Sequence, residues 1–223
     1  MNMLELLSHL NWAEIARACL ATLSMLSVAL GFTVLLGMPL GVLMFLTGKQ
    51  QLHARPGVYR VLSMLVNVFR SLPFIILLIV LIPLTAFLTG TSLGVKGAIP
   101  PLVAGCTPFF ARLVEIALRE VDHGVVEATQ AMGASTWQVV WHTLLPEART
   151  GLIAAITVTA IVLVDYTAMA GVIGGGGLGD LAIRFGYQRF QTDVMVVTVA
   201  LLVLLVQGLQ ISGDRLVLRY SRR

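Results

Sequence analysis

Charged side chains are scarce in this sequence. Only 12% of its 223 residues are Asp, Glu, Lys or Arg, against roughly 25% in an ordinary soluble domain. The mean hydropathy of +0.91 comes from long apolar runs, and about 20 such residues are enough to cross a bilayer core as a helix. The composition therefore excludes a typical soluble protein and predicts an integral membrane protein.

Several other features are missing. The two cysteines, Cys19 and Cys106, lie inside apolar runs without pairing or metal-ligand spacing, which predicts small inert side chains. The N-terminal stretch carries Glu5 and Glu14 but no early Lys or Arg, so it lacks the basic region of a cleavable signal peptide and is expected to form a short interfacial helix. The alternation of barrel strands is absent as well, so only helical spans remain.

Five apolar runs are long enough to cross a membrane as tilted helices. They cover residues 19–46, about 60–88, 98–118, 151–173 and 194–213. No internal repeat, low-complexity segment or separate soluble region interrupts them. The prediction is therefore an all-α integral membrane fold with five transmembrane helices, organised as a single domain over residues 1–223.

The basic residues predict the orientation of these helices, because Lys and Arg favour the cytoplasmic side. One set of connections and termini carries ten of them: Lys49, Arg55, Arg60, Arg112, Arg119, Arg149, Arg215, Arg219, Arg222 and Arg223. The opposite set carries four: Arg17, Lys96, Arg184 and Arg189. This imbalance predicts an N-terminus outside, a C-terminus in the cytoplasm, and a cytoplasmic connection between the third and fourth helices.

That cytoplasmic connection includes EATQAMGASTWQVVWHTLLP at residues 127–146. It contains two short helical patterns, about 121–132 and about 136–145, and neither is long enough to span a membrane. In the second pattern, five apolar residues share one stripe of an amphipathic helix: Trp137, Val140, Trp141, Leu144 and Leu145. The connection is thus expected to form two amphipathic helices outside the bilayer core.

Specific residues mark the ends of these two patterns. Gly133 supplies a turn between them, because glycine takes a positive φ without steric cost. Ser135 and Gln138 fit a capping box at the start of the second helix. Pro146 marks its predicted end.

The charges of the connection discriminate between three interpretations of its helices. No Lys or Arg occurs between Arg119 and Arg149, whereas Glu120, Asp122 and Glu127 make the region acidic. A helix pair lying on lipid headgroups usually carries cations on its polar face, and a helix-turn-helix needs cations for DNA phosphates. A docking surface for a protein partner is the interpretation that remains.

The string Glu127-Ala128, Gly133 and Leu145-Pro146 resembles the EAA motif of ABC importer permeases, in which a Gly follows the Ala after five residues and a Leu-Pro comes near the end. Thr129 stands where a third alanine is common, a small change that leaves docking plausible. The surrounding text is similar to the methionine branch of these permeases, in four strings: FRSLPFIILL at 69–78, ALREVDHGVVEATQAMGAS at 117–135, LLPEA at 144–148 and GGGGLGD at 174–180. The resemblance covers nearly the whole chain from about residue 20.

The resemblance implies a non-catalytic permease subunit with the type I importer fold, which moves a small amino acid, methionine in its L- and also D-form, across a bacterial inner membrane. It implies coupling helices that dock into a cleft of an ATP-hydrolysing subunit through Glu127, Ala128, Gly133, Trp137, Val140, Trp141, Leu144, Leu145 and Pro146. The implied partners are a second copy, two subunits that bind ATP and Mg, and an extracytoplasmic binding protein or lipoprotein. No cofactor or metal is expected in this chain, and no nucleic acid partner.

Nucleotide-binding motifs do not change this interpretation. The run VIGGGGLGD matches G-x-G-x-x-G through Gly174, Gly176 and Gly179, but a membrane span precedes it where a dinucleotide site needs a strand. The run is expected to form a tight turn or a close helix contact. The sequence contains no G-x-x-x-x-G-K-[ST], so energy from ATP requires a partner.

Two charges fall inside predicted spans, Arg70 in FRSLPF and Asp165 in VLVDYTAM. Each costs roughly 2.5–3.5 kcal/mol at a lipid-exposed helix centre, so they are expected to face a cavity or each other. They either form a buried ion pair or line the path of a hydrophilic substrate, together with Ser71, Tyr166 and Met169. The family that this sequence resembles usually has a small residue at the position of Asp165, so this acidic residue departs from the family pattern.

Two alternative functions stay open at this point. The first keeps the permease fold and changes the substrate to another small solute, such as a sulfonate or a betaine. The second is a proton-coupled secondary transporter that uses Asp165 as a relay. The second alternative offers no explanation for the acidic helix pair.

Overall fold

The computed structural model describes residues 11–49 and 52–221, and in this part of the chain the regular structure is helical, without a strand. The α-helices are α1 (Trp12–Thr47), α2 (Pro56–Ser71), α3 (Phe74–Val80), α4 (Ile82–Thr89), α5 (Gly94–Arg119), α6 (His123–Ala131), α7 (Thr136–Val139), α8 (Leu145–Glu147), α9 (Arg149–Val172), α10 (Gly177–Leu181) and α11 (Thr192–Tyr220). Two π-helical turns, Val140–Leu144 and Ala182–Tyr187, follow α7 and α10. The predicted all-α membrane fold is confirmed.

Within the described residues, four helices are long and apolar enough to cross a membrane: α1, α5, α9 and α11. The pair α2 and α3 makes a fifth crossing if the two are taken as one broken span. The longest helix, α1, has 36 residues and begins at Trp12. The interfacial helix expected at the N-terminus falls largely on residues 1–10, which lie outside the described residues.

The second apolar run is not the single helix predicted over about 60–88. The chain leaves the helix after Ser71 and re-enters it at Phe74, and a further helix starts at Ile82. Pro73 (φ −56°, ψ 131°) has no N–H to donate, and its ring disfavours a helical conformation at Leu72. The prediction was wrong because hydropathy locates an apolar run but does not register the proline that interrupts it.

The chain divides into two compact units, of which the first contains residues 11–32, 72–105 and 160–209. Its apolar cluster includes Ile15, Ala18, Leu178 and Leu181. The glycine run folds into a tight turn in this unit: Gly177 has φ 84°, and a Cβ there would lie 2.6 Å from Thr22 Oγ1. The same Thr22 Oγ1 accepts a hydrogen bond of 2.9 Å from the Leu178 N–H. The run is therefore a packing turn, and no strand precedes it.

The second unit contains residues 33–71, 106–159 and 210–221. Its core is formed by Phe45, Phe110, Val114, Ala117, Leu118, Val139, Val140, Leu144, Ala148, Leu152 and Ala155. Gly37 and Gly41 let α1 approach α5 closely, because a Cβ on Gly37 would lie 2.8 Å from Phe110 and one on Gly41 would lie 2.6 Å from Val114. Small residues four apart are the usual means of close helix packing in membranes. This packing fixes α5, from which the segment described next departs.

Candidate functional site

Residues 121–148, which we call the docking segment, follow α5 in the second unit. Asp122 caps α6: its carboxylate accepts a hydrogen bond of 2.6 Å from the Gly124 N–H. The helix gives way to a turn at Gly133, whose φ is 83°. Nothing lies within 4 Å of a Cβ built on Gly133, so glycine is required there by backbone conformation and not by lack of space.

The capping box predicted from Ser135 and Gln138 is present at the start of α7. The Ser135 N–H donates to Gln138 Oε1 over 2.8 Å, and the Gln138 N–H donates to Ser135 Oγ over 3.4 Å. These two bonds satisfy donors that a helix N-terminus would otherwise leave unpaired. They fix the point at which the chain turns back after Gly133.

The helical path does not end at Pro146, which corrects the predicted boundary. It passes from α7 through the π-helical turn Val140–Leu144 into α8, and α9 begins at Arg149. Pro146 lies in the first turn of α8, where a proline is tolerated because the missing N–H is not needed for a regular bond. The π turn changes the hydrogen-bond pattern just before it.

The predicted apolar stripe divides between two environments. Val140 and Leu144 are buried in the core of the second unit, and Leu145 is half-buried. Trp137 is 66% exposed and Trp141 is 53% exposed, with their rings edge to face at 5.7 Å between centroids. The periodicity identified apolar positions but did not show which of them are covered by this chain.

The docking segment exposes a third large apolar side chain. Met132 is 80% exposed, in addition to the two tryptophans. Glu127, Ala128, Gly133 and Pro146 are also exposed. Several large apolar side chains exposed outside a membrane span, in a segment that also exposes an acidic residue, indicate a surface that another protein covers.

Two side-chain contacts hold the docking segment in shape. Thr129 Oγ1 lies 3.1 Å from Thr143 Oγ1, which joins α6 to the π turn. Thr136 Oγ1 lies 3.0 Å from Nε2 of His53, in the connection between α1 and α2. The threonine found in place of the motif's usual alanine therefore contributes a hydrogen bond between the two halves of the segment.

Two predicted pathway residues lie at the end of α2. Arg70 and Ser71 are both exposed. The Arg70 guanidinium carbon lies 5.9 Å from the centroid of the Phe109 ring, a cation–π distance. Ser71 Oγ donates to the Asn67 carbonyl oxygen over 2.8 Å. Both residues directly precede the break at Leu72 and Pro73.

The other predicted pathway residues lie on α9 in the first unit. The Tyr166 ring stacks on the Phe74 ring, with 4.0 Å between centroids and 10° between planes. Asp165 and Met169 are exposed, and Asp165 lines a groove of about 240 Å³ that Gln207 of α11 also lines. Arg70 and Asp165 belong to different units, and their pairing stays a prediction.

One polar cluster was missed by the sequence reasoning. Arg112 and Arg119 were counted as charges of the connections, yet both belong to α5 and pair with Glu115 of the same helix. The signal was present in the sequence as three charges spaced by three and four residues, which places them on one helix face. Glu115 was overlooked because positive charges alone were used to orient the helices.

Comparison with known proteins adds to this geometry. The sequence pattern of a family described as binding-protein-dependent transport system inner membrane component matches residues 34–223. The probable D-methionine transport system permease protein MetI of Vibrio cholerae is 45% identical over 214 residues, which cover 96% of this chain and 95% of that protein. The methionine import system permease protein MetP of Bacillus subtilis is 51% identical over 172 residues, covering 77% of this chain and 78% of that protein.

The same comparison extends to solved structures. A chain of the MetNI methionine ABC transporter, in an inward-facing conformation, matches with a TM-score of 0.93 at 45% identity, covering 95% of this chain and 98% of that chain. An amino acid ABC transporter solved with histidines matches with a TM-score of 0.78 at 17% identity, which indicates a shared fold.

Proposed function

Because the chain belongs to the family of binding-protein-dependent transport system inner membrane components, we propose that it is the permease subunit of an ATP-driven importer for methionine. The observation that supports the importer assignment is the docking segment, which exposes Met132, Trp137 and Trp141 and also Glu127. The substrate assignment rests on relatives that carry methionine transport in their names.

In this proposal the chain carries out no chemical step itself. It has no P-loop sequence, so ATP and Mg are bound by a partner subunit that covers the exposed tryptophans. The closing of two such partners on ATP moves the docking segments, and each segment continues through α8 into α9, which carries Asp165 and Met169. Movement of the docking segment is thereby transmitted to α9, a helix that crosses the membrane.

The proposed assembly contains two copies of this chain, two ATPase subunits and an extracytoplasmic binding protein. The described part of one chain has four or five helices able to cross a membrane, which would supply half of a pathway. The orientation follows from the distribution of Lys and Arg: the docking segment faces the cytoplasm with the C-terminus, and the N-terminus lies outside. In this arrangement the ATPase and the binding protein contact the permease on opposite sides of the membrane.

The experiment is uptake into proteoliposomes that contain the permease, its ATPase partner and the binding protein. We expect labelled L- and D-methionine to accumulate only with ATP, and to be competed by unlabelled methionine but not by taurine or glycine betaine. Uptake that persists without ATP and collapses with a protonophore would instead indicate the proton-coupled alternative. Competition by the sulfonate or the betaine would keep the importer and overturn the substrate.

A further inference from the structure

A buried carboxylate lies between two arginines near the C-terminal end of α5. The Glu115 side chain is 1% exposed, and both of its oxygens are paired. Arg112 Nη1 donates to Glu115 Oε2 over 2.6 Å, and Arg119 Nη2 donates to Glu115 Oε1 over 2.7 Å. Glu115 therefore fixes both guanidinium groups on one face of the helix.

Arg112 extends this cluster to a second helix. Its Nη2 donates to Ser63 Oγ over 2.8 Å and to Asn67 Oδ1 over 3.1 Å, on successive turns of α2. Tyr59, one turn earlier on α2, accepts hydrogen bonds at its hydroxyl from Arg112 over 3.4 Å and from Arg119 over 3.3 Å. The guanidinium groups thus contact α2 along three consecutive turns.

Apolar packing contributes little to the position of α2. Val66 is the one buried residue among the 16 residues of this helix, all of which the structure describes. A helix with so little buried apolar surface is held mainly by its polar contacts, and a charge-assisted hydrogen bond is stronger than a neutral one. The cluster around Glu115 therefore determines where α2 lies within the second unit.

The cluster also connects two functional parts of the chain. Arg119 is the last residue of α5, and the docking segment starts at residue 121. The other end of the cluster lies on α2, which ends with Arg70 and Ser71, the predicted pathway residues. A continuous chain of ion pairs and hydrogen bonds thus joins the start of the docking segment to the helix that precedes the break at Pro73.

We propose that Glu115 is a positioning residue for energy coupling: by holding Arg112 and Arg119, it makes α2 follow the docking segment when the partner ATPase closes. This inference rests on the proposed importer function. Without these contacts, the ATPase moves the docking segment while α2 keeps its position, so that ATP is hydrolysed with little transport.

The test uses the complete reconstituted transporter and the ratio of methionine taken up to ATP hydrolysed. Two variants interrupt the cluster at different places. A triple variant, Tyr59→Phe with Ser63→Ala and Asn67→Ala, removes the hydrogen bonds that α2 accepts and leaves the ion pairs, while Glu115→Gln keeps the size of the side chain and removes its charge. We expect ATP hydrolysis within about twofold of the unaltered transporter and a loss of at least about fivefold in uptake per ATP in both.

Two matched controls lie outside the cluster. Ser27→Ala removes a hydroxyl that bonds backbone carbonyls of its own helix. Asp180→Asn breaks an ion pair of 2.7 Å with Arg184, which lies four residues later in the chain and has a half-exposed side chain. Both controls should keep the ratio of uptake to ATP hydrolysis. If a variant of the cluster merely destabilised the transporter, its uptake and its ATP hydrolysis would fall together.

Hydrogen exchange measured by mass spectrometry provides a second readout that needs no substrate. In the unaltered complex, trapping with ATP and vanadate should change exchange in residues 56–71 and in the docking segment. In the triple variant, the change should persist in the docking segment and disappear from residues 56–71. This response reports movement that passes from one segment to the other, independently of transport.

The inference is overturned if the assembled triple variant keeps its uptake per ATP within about twofold, or if its α2 still responds to trapping. Should Glu115→Gln fail to assemble, the triple variant decides alone, because none of its three altered residues is buried. If the unaltered transporter takes up no methionine, the proposed substrate is wrong, and the exchange measurement still decides the role of the cluster.

Discussion

Truncation of Trp137 tests the docking surface directly. The side chain is 66% exposed in the chain by itself. If a partner covers it completely, about 130 Å² of a side chain that can bury about 200 Å² leaves the water on docking. At about 25 cal/mol per Å² this is worth about 3 kcal/mol, and roughly 100-fold in the dissociation constant. Trp137→Ala should therefore weaken binding of the ATPase subunit by that factor.

The assay is a titration of the purified permease in detergent with the purified ATPase subunit, alongside the melting temperature of the permease alone. Phe87→Ala is the matched control, because Phe87 is 85% exposed on α4 in the first unit, away from the docking segment in sequence. The control should bind the ATPase normally, and the melting temperature of Trp137→Ala should be unchanged because the removed ring was largely exposed. A dissociation constant within about threefold of the unaltered value would refute the assignment of Trp137 to the docking surface.

Three further predictions concern the turn, the orientation and the intramembrane charges. Gly133→Pro should leave the permease inserted but abolish ATP-driven uptake, because proline cannot adopt the φ of 83° found there; normal uptake would contradict this. In a variant without the native cysteines, Gln188→Cys should react with a membrane-impermeant thiol reagent in intact cells. Gln138→Cys should react only after the membrane is opened, and the reverse pattern would show that the topology is inverted. Because Arg70 and Asp165 are both exposed in this chain, an ion pair between them predicts that Arg70→Gln and Asp165→Asn each destabilise the permease by at most about 1 kcal/mol and that the double variant loses no more than either single variant; additive losses in melting temperature would exclude the pair.

Composition and local chemistry made much of the fold predictable. The length and apolarity of the runs were sufficient to predict an all-helical membrane protein, because lipid leaves few alternatives for the backbone. The capping box at Ser135 and the positive φ of Gly133 were predictable for a similar reason, since both depend on interactions within a few residues. The break at Pro73 was also local, and the prediction missed it because hydropathy outweighed proline chemistry there.

The exposure of individual side chains in the docking segment could not be predicted from local sequence patterns. The motif around Glu127 and the stripe of Trp137, Val140 and Leu144 located the segment in the sequence. Periodicity is the same whether an apolar side chain meets its own chain or a partner, so it did not predict that Val140 and Leu144 are buried while Trp137 is exposed. That division depends on what packs against each face.

The sequence by itself determined the membrane character of this protein, its helical class, its family resemblance and the place of its docking segment, because each of these is encoded in composition or in short-range patterns. Only the tertiary structure decided that Arg112 reaches Ser63 and Asn67, across 49 and 45 residues of sequence. Hydrogen bonds between distant residues require two helices to be placed side by side. The close approach at Gly37 and Gly41 packs α1 against α5, and the hydrogen bonds of Arg112 then hold α2 beside α5.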